Sequence, residues 1–148
     1  MKHLIAAIVM VLMLSGCAQK AAFEELTDGP CTKAQGQLAE AHISAQIDAI
    51  AKEDWESAYS FASESFRSLV ELDQFIFVIG SQYEMLFENQ GYVFSKCAIV
   101  NSQVTQQVEV KDESGLTNLT YTLSVKELIL GVESVLIGSI DSQQLQDL

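Results

Sequence analysis

The chain has 148 residues, room for one domain and too few for two comfortable ones. Hydrophobic residues make up 49% and the formal charge is −12, which argues against both a disordered tail and a carrier of anionic partners. Arg67 is the only arginine, so the chain lacks the cationic stripe that nucleic acid or anionic headgroups require.

Met1-Lys2-His3 is a short basic start, and Leu4 to Leu14 is an unbroken run of eleven apolar residues. As a helix that run would reach about 16 Å, against roughly 30 Å of bilayer hydrocarbon, so it is too short to span. Its length fits the apolar part of a secretory signal, and residues 1–16 are expected to be one. Leu14-Ser15-Gly16-Cys17 resembles a bacterial lipobox. The resemblance implies that Cys17 receives a diacylglyceryl thioether, becomes the first residue after cleavage, and ties the protein to a membrane through lipid. Two or more acyl chains at about 0.8 kcal/mol per buried methylene anchor stably, where one is marginal. The expected location is therefore extracytoplasmic, at the outer face of the plasma membrane or at the outer membrane. Ala18-Gln19 follow the cysteine, with no aspartate at the second position to resemble the usual inner-membrane retention signal.

Residues 17–33 read as a lipidated tether, polar and broken by Asp28-Gly29-Pro30. The compact domain is expected over 34–140, and residues 141–148 form a polar tail. Residues 34–52 predict a helix: Ala39, Ile43, Ile47 and Ile50 fall on one face, and Glu40, Ser44, Asp48 and Lys52 on the other. His42 and Gln46 sit one turn apart, toward the apolar half. Asp54 can cap a second helix carrying Trp55, Ala58, Tyr59 and Ala62 on one face. Ser63 to Leu69 reads as an irregular or short helical link. A third helix is expected from Leu72 to Phe87, with Gly80 as a point of weakness.

After residue 90 the period changes to two. Val93, Cys97 and Ile99 alternate with Phe94, Ala98 and Val100, and Val104 to Lys111 follows. Asp112-Glu113-Ser114-Gly115 is a turn; Leu119, Tyr121, Leu123 and Val125 then alternate with polar residues; residues 132–140 make a last strand. Helices first and strands after predict an α+β domain: three N-terminal helices packed on a curved, mostly antiparallel sheet of about four strands.

That order resembles the nuclear-transport-factor-2-like superfamily, the α+β cone shared with ketosteroid isomerases and small dehydratases. More narrowly, residues 46–140 resemble a bacterial family of unknown function within it, on the strength of residues 46–59 (QIDAIAKEDWESAY) and 75–86 (FIFVIGSQYEML). That family usually opens its last strand with tryptophan, where this chain has Val132. The resemblance implies the fold and little about activity.

The candidates for chemistry are few. Enzymes of this cone use an aspartate or histidine at the pocket wall with a tyrosine as oxyanion donor, which here points to His42, Tyr59, Tyr83 and Tyr121. His42 has Leu38 and Gln46, and no acid, at i±4 on its own face. The competing expectation is that His42 and Gln46 bond to each other or to backbone, and that the tyrosines are core with wet hydroxyls. After lipidation of Cys17, Cys31 and Cys97 remain as an even pair in an oxidising compartment and are expected to form a disulfide. One remaining histidine, two cysteines far apart and scattered carboxylates form no recognised ligand set, so no metal and no cofactor is expected. Gln46, Phe61, Phe75 and Phe94 are candidates to line a cavity, with Phe66, Phe77 and Phe87 adding aromatic surface.

The resulting expectation is a non-enzymatic, lipid-anchored binding or accessory module for a small apolar ligand or a protein partner. The alternative is a small proton-transfer or dehydration enzyme using His42 and a pocket tyrosine. A homodimer through the sheet is a further expectation.

Overall fold

The computed structural model describes residues 22–138. The expected leader, the lipobox with Cys17 and the tail at 141–148 lie outside the described residues.

Strand β1 is the short pair Gly29–Pro30. Helix α1 (Lys33–Ala51) follows, then α2 (Trp55–Ser60), α3 (Glu64–Leu69), α4 (Leu72–Gln82) and α5 (Glu84–Phe87). Strands β2 (Gly91–Val100), β3 (Gln103–Asp112), β4 (Gly115–Lys126) and β5 (Ile129–Ile137) complete the domain. The sheet is open, curved and antiparallel throughout, in the order β1-β2-β3-β4-β5. Among the described residues it has five strands, where four were expected.

The fifth strand comes from the segment read as tether. Gly29 pairs with Ile99 and Pro30 with Ala98, and Cys31 N–H donates to Cys97 O at 3.1 Å. Proline is tolerated because this is the sheet's edge, where no ladder donor is needed. The turn-like composition of Asp28-Gly29-Pro30 hid this pairing, because β1 forms only against a strand almost 70 residues later. Upstream of it, Phe23 is buried in the core, and Gln35 Nε2 donates to Ala22 O at 3.0 Å.

Helix α1 begins with a capping box. Gln35 N–H donates to Thr32 Oγ1 at 3.3 Å, and Thr32 N–H donates to Gln35 Oε1 at 2.8 Å, so two orphan donors are satisfied reciprocally. Ala39, Ile43, Ile47 and Ile50 lie on its buried face as their spacing predicts. They meet Val104, Val108 and Val110 of β3 and Leu119, Tyr121 and Leu123 of β4 in one core. Burial of this apolar surface, at about 25 cal/mol per Å², is the main force holding the helices on the sheet.

Of the two forms expected for Ser63 to Leu69, irregular or short helical, the structure has the short helix: Ser63 caps α3 by accepting from Phe66 N–H at 2.9 Å. One correction concerns the helix after it. The single helix expected from Leu72 to Phe87 is broken at Tyr83 rather than at Gly80. Tyr83 leaves helical geometry (φ −126°, ψ 36°), and its hydroxyl donates to Val135 O at 2.6 Å. The break ties the end of α4 to the free edge of β5 and lets Leu86 turn into the core.

The hairpins after β2 and β4 turn on two residues each, Asn101-Ser102 and Glu127-Leu128, all with positive φ. This mirror-image turn matches the right-handed twist of the flanking strands. Asp112 Oδ1 accepts from Ser114 N–H at 2.8 Å and Gly115 N–H at 3.0 Å and so closes the β3–β4 turn. The last strand starts at Ile129, three residues before its expected start.

Cys31 and Cys97 are joined by a disulfide, as expected, with Cα atoms 5.4 Å apart. The bridge sits beside a register shift in β2 between Phe94 and Cys97. It staples the chain entering α1 to the sheet.

Candidate functional site

The helices do not fill the sheet's concave side completely. A cavity of about 240 Å³ remains between β5, the middle of β4 and the helices α1, α3, α4 and α5. Ile50, Phe66, Val70, Phe75, Val78 and Ile79 supply much of its apolar wall. Tyr121, Val132 and Val135 form the sheet side, and Tyr83 lines the cavity from the α4–α5 break. The position follows from the local folding. Tyr83 pins α4 to β5 at one point, and the parallel bridge of Ala62 to Val132 pins the α2–α3 junction at another.

Of the four residues expected to line a cavity, the fold brings Gln46 and Phe75 to it and leaves Phe61 and Phe94 elsewhere. Phe61 packs edge-on against His42, with ring centroids 5.2 Å apart. Phe94 packs edge-on against Tyr92 at 5.7 Å, farther along β2. Phe77, also expected among the lining aromatics, is 71% exposed on the outer side of α4. Phe87 stacks on Trp55 at 6.2 Å. Period alone could not separate these positions, since every phenylalanine falls on or near an apolar stripe.

The candidate chemical residues divide in the same way. His42 does not line the cavity. Its Nε2 lies 2.9 Å from Phe61 O, and burial pushes its pKa below the ordinary histidine value, against the opposing effect of that hydrogen bond. Gln46 Nε2 donates to Ala58 O at 3.2 Å. His42 and Gln46 therefore both satisfy backbone carbonyls of the α2 segment and hold it against α1. Tyr59 also lies off the cavity, where its hydroxyl donates to Val70 O at 2.6 Å.

Tyr83 and Tyr121 do line the cavity, and they differ. The Tyr83 hydroxyl is spent on Val135 O. Tyr121 is completely buried, and its hydroxyl has no hydrogen-bond partner. Burial pushes the phenol well above its ordinary pKa, so it stays protonated and remains a donor. A buried hydroxyl without a partner costs about 1–3 kcal/mol, which a purely structural position would avoid by using phenylalanine. Beside it, Gln106 of β3 pairs directly with Tyr121 across the ladder and is also fully buried. Gln106 Nε2 donates to Lys96 O at 3.2 Å and Gln107 O at 3.0 Å, while its Oε1 has no partner. Sequence reasoning missed Gln106. Its signal was a glutamine on the buried side of the alternation between Val104 and Val108.

Among the described residues no group of three His, Cys, Asp or Glu side chains converges as metal ligands. The cavity's lining carries no lysine, arginine or histidine, and its one acid is Glu133. Burial raises the Glu133 pKa, but hydrogen bonds from Ser65, Ser124 and Ser63 outweigh it and leave the carboxylate below the usual range.

Together these features define an α+β domain in which helices cover one face of a curved antiparallel sheet and leave a small apolar cavity with one unspent phenol. The chain belongs to the family described as Domain of unknown function (DUF4864), whose model matches residues 32–137. No curated protein and no solved structure shows significant similarity to it.

Proposed function

We propose that this protein is a lipid-anchored, extracytoplasmic binding module whose cone, of the nuclear-transport-factor-2-like kind, takes a small apolar ligand. The observation that carries the reading is the cavity of about 240 Å³ with the fully buried Tyr121 in its wall. Its size lies below the ~300 Å³ at which drug-sized pockets begin, so the ligand is small. Apolar walls supply affinity by burial, and a few polar groups supply orientation.

Leu14-Ser15-Gly16-Cys17 and the apolar run before it support the anchor. The Cys31–Cys97 bridge is consistent with an oxidising, extracytoplasmic compartment. The run of helices followed by antiparallel strands supports the cone. The alternative enzyme would need His42 at the cavity wall, and the contact of His42 with Phe61 O holds it elsewhere.

Native mass spectrometry of the full chain, purified gently from its own host, tests both parts. The expected spectrum carries an added small-molecule mass that disappears on denaturation. A bare polypeptide mass in repeated preparations would remove the ligand reading. The parent chain is expected to carry a diacylglyceryl mass that a Cys17→Ser variant lacks; a parent mass that fits the bare polypeptide would remove the anchor.

A further inference from the structure

Gln46 stands on the buried face of α1 between Ile43 and Ile50, and it is only 3% exposed. A hydrophobic side chain would fill that position at lower cost, because a buried amide needs a partner at each end. One end has its partner: Nε2 donates to Ala58 O at 3.2 Å. Ala58 O is an acceptor, so the nitrogen must face it, and this settles which end of the amide is which. The other end, Oε1, accepts from no donor among the described residues. It is not walled off either. Among the described residues, the unpartnered side-chain atoms that are sealed completely are Gln106 Oε1 and the Tyr121 hydroxyl. Gln46 Oε1 therefore keeps contact with open space, and on this face of α1 that space is the cavity, whose wall Gln46 forms with Ile50. The other polar side chains of the wall are accounted for: Tyr83 is spent on Val135 O, and Gln74 and Ser134 are exposed to solvent.

We infer that Gln46 Oε1 is the acceptor for the polar group of the ligand, so that the cavity selects a small apolar molecule bearing a hydrogen-bond donor, an alcohol or an amine. This rests on the cavity being a ligand site. A hydroxyl or an N–H donates to Oε1 while the apolar remainder lies against Phe66, Val70 and Phe75. A hydrocarbon leaves Oε1 as it is. A ketone, ester or ether brings a second acceptor to it, and neither oxygen gains a donor. A carboxylate is worse, since the lining holds no lysine, arginine or histidine to pair with it and Glu133 adds a negative charge.

Toluene, α-methylbenzyl alcohol and acetophenone test the assignment, with affinities for the full chain measured by titration NMR. Toluene reports on the cavity alone. The alcohol and the ketone share one skeleton and differ in whether their oxygen can donate. The alcohol is expected to bind roughly threefold to tenfold more tightly than the ketone. Gln46→Met, which keeps the side chain's length and removes the acceptor, is expected to bring that ratio close to one while toluene still binds. If Gln46→Met does not fold, the unmodified chain decides through nuclear Overhauser contacts: the carbinol proton of the bound alcohol is expected to meet the Gln46 side chain. If neither toluene nor the alcohol binds, the cavity reading and the subsite fall together. If toluene binds and the ketone matches or exceeds the alcohol, the donor selection is overturned while the cavity stands. A preference for the alcohol that survives Gln46→Met, or a carbinol proton that meets other side chains and not Gln46, would overturn the role of Gln46.

Discussion

Gly131 of β5 lies against the backbone of Ser63 so closely that a Cβ on it would fall 2.6 Å from Ser63 Cα. The contact is part of a seam. Ser63 N–H donates to Val132 O at 2.9 Å, and Val132 N–H donates to Phe61 O at 3.0 Å. Only glycine lets the α2–α3 junction lie flat on the edge of β5, and that seam closes one end of the cavity.

Gly131→Ala is therefore expected to destabilise the protein by about 1–3 kcal/mol through overpacking. Chemical denaturation measures this. A neutral result would mean that the junction can move away from β5 at no cost.

Removing the disulfide should have a larger effect. Cys31 and Cys97 are 66 residues apart, and closing a loop of that length is worth about 4 kcal/mol in the chain-entropy model. Urea unfolding of a Cys31→Ala/Cys97→Ala double variant is expected to show most of that loss. A midpoint unchanged by reductant in the parent chain would contradict it.

Tyr121→Phe is expected to leave the unliganded protein equally stable or more stable, by about 1 kcal/mol, because it deletes an unpaired buried hydroxyl. The difference should widen in alkali. The folded-state pKa of Tyr121 is raised, so stability is fully present below the unfolded value of 10.0 and is lost as pH rises above it. The phenylalanine variant lacks that loss. A substitution that costs several kcal/mol at neutral pH would show that the hydroxyl is already engaged.

His42 predicts the opposite end of the pH scale. Burial lowers its folded pKa, so the folded state holds fewer protons than the unfolded one just below the ordinary value of 6.5. Stability is full above that pH and falls as pH drops toward the folded pKa. Thermal melts of His42→Gln are expected to show a shallower acid slope than the parent. Parallel slopes would place the acid sensitivity on the carboxylates alone.

Much of this architecture was legible along the chain. The spacing of Ala39, Ile43, Ile47 and Ile50 gave the buried face of α1, and the alternation through Leu119, Tyr121 and Leu123 gave the inner face of β4. Thr32-Lys33-Ala34-Gln35 carries the signature of a capping box that starts α1 one residue before the expected helix. The even pair of cysteines pointed to the bridge. These features rest on local periodicity or on counting, and neither needs a partner's position.

The rest was decided in three dimensions. Gly29–Pro30 is a strand only because β2 offers it an edge, and Tyr83 breaks a helix because Val135 O lies within reach. His42, Phe61 and Phe94 have the composition of a site and were placed elsewhere by their packing partners. Tyr121 and Gln106 became a pair because the β3–β4 register sets them opposite each other. A sequence can specify which side chains are buried through their period, but whether a buried polar atom finds a partner depends on distances that only the assembled sheet and helices create.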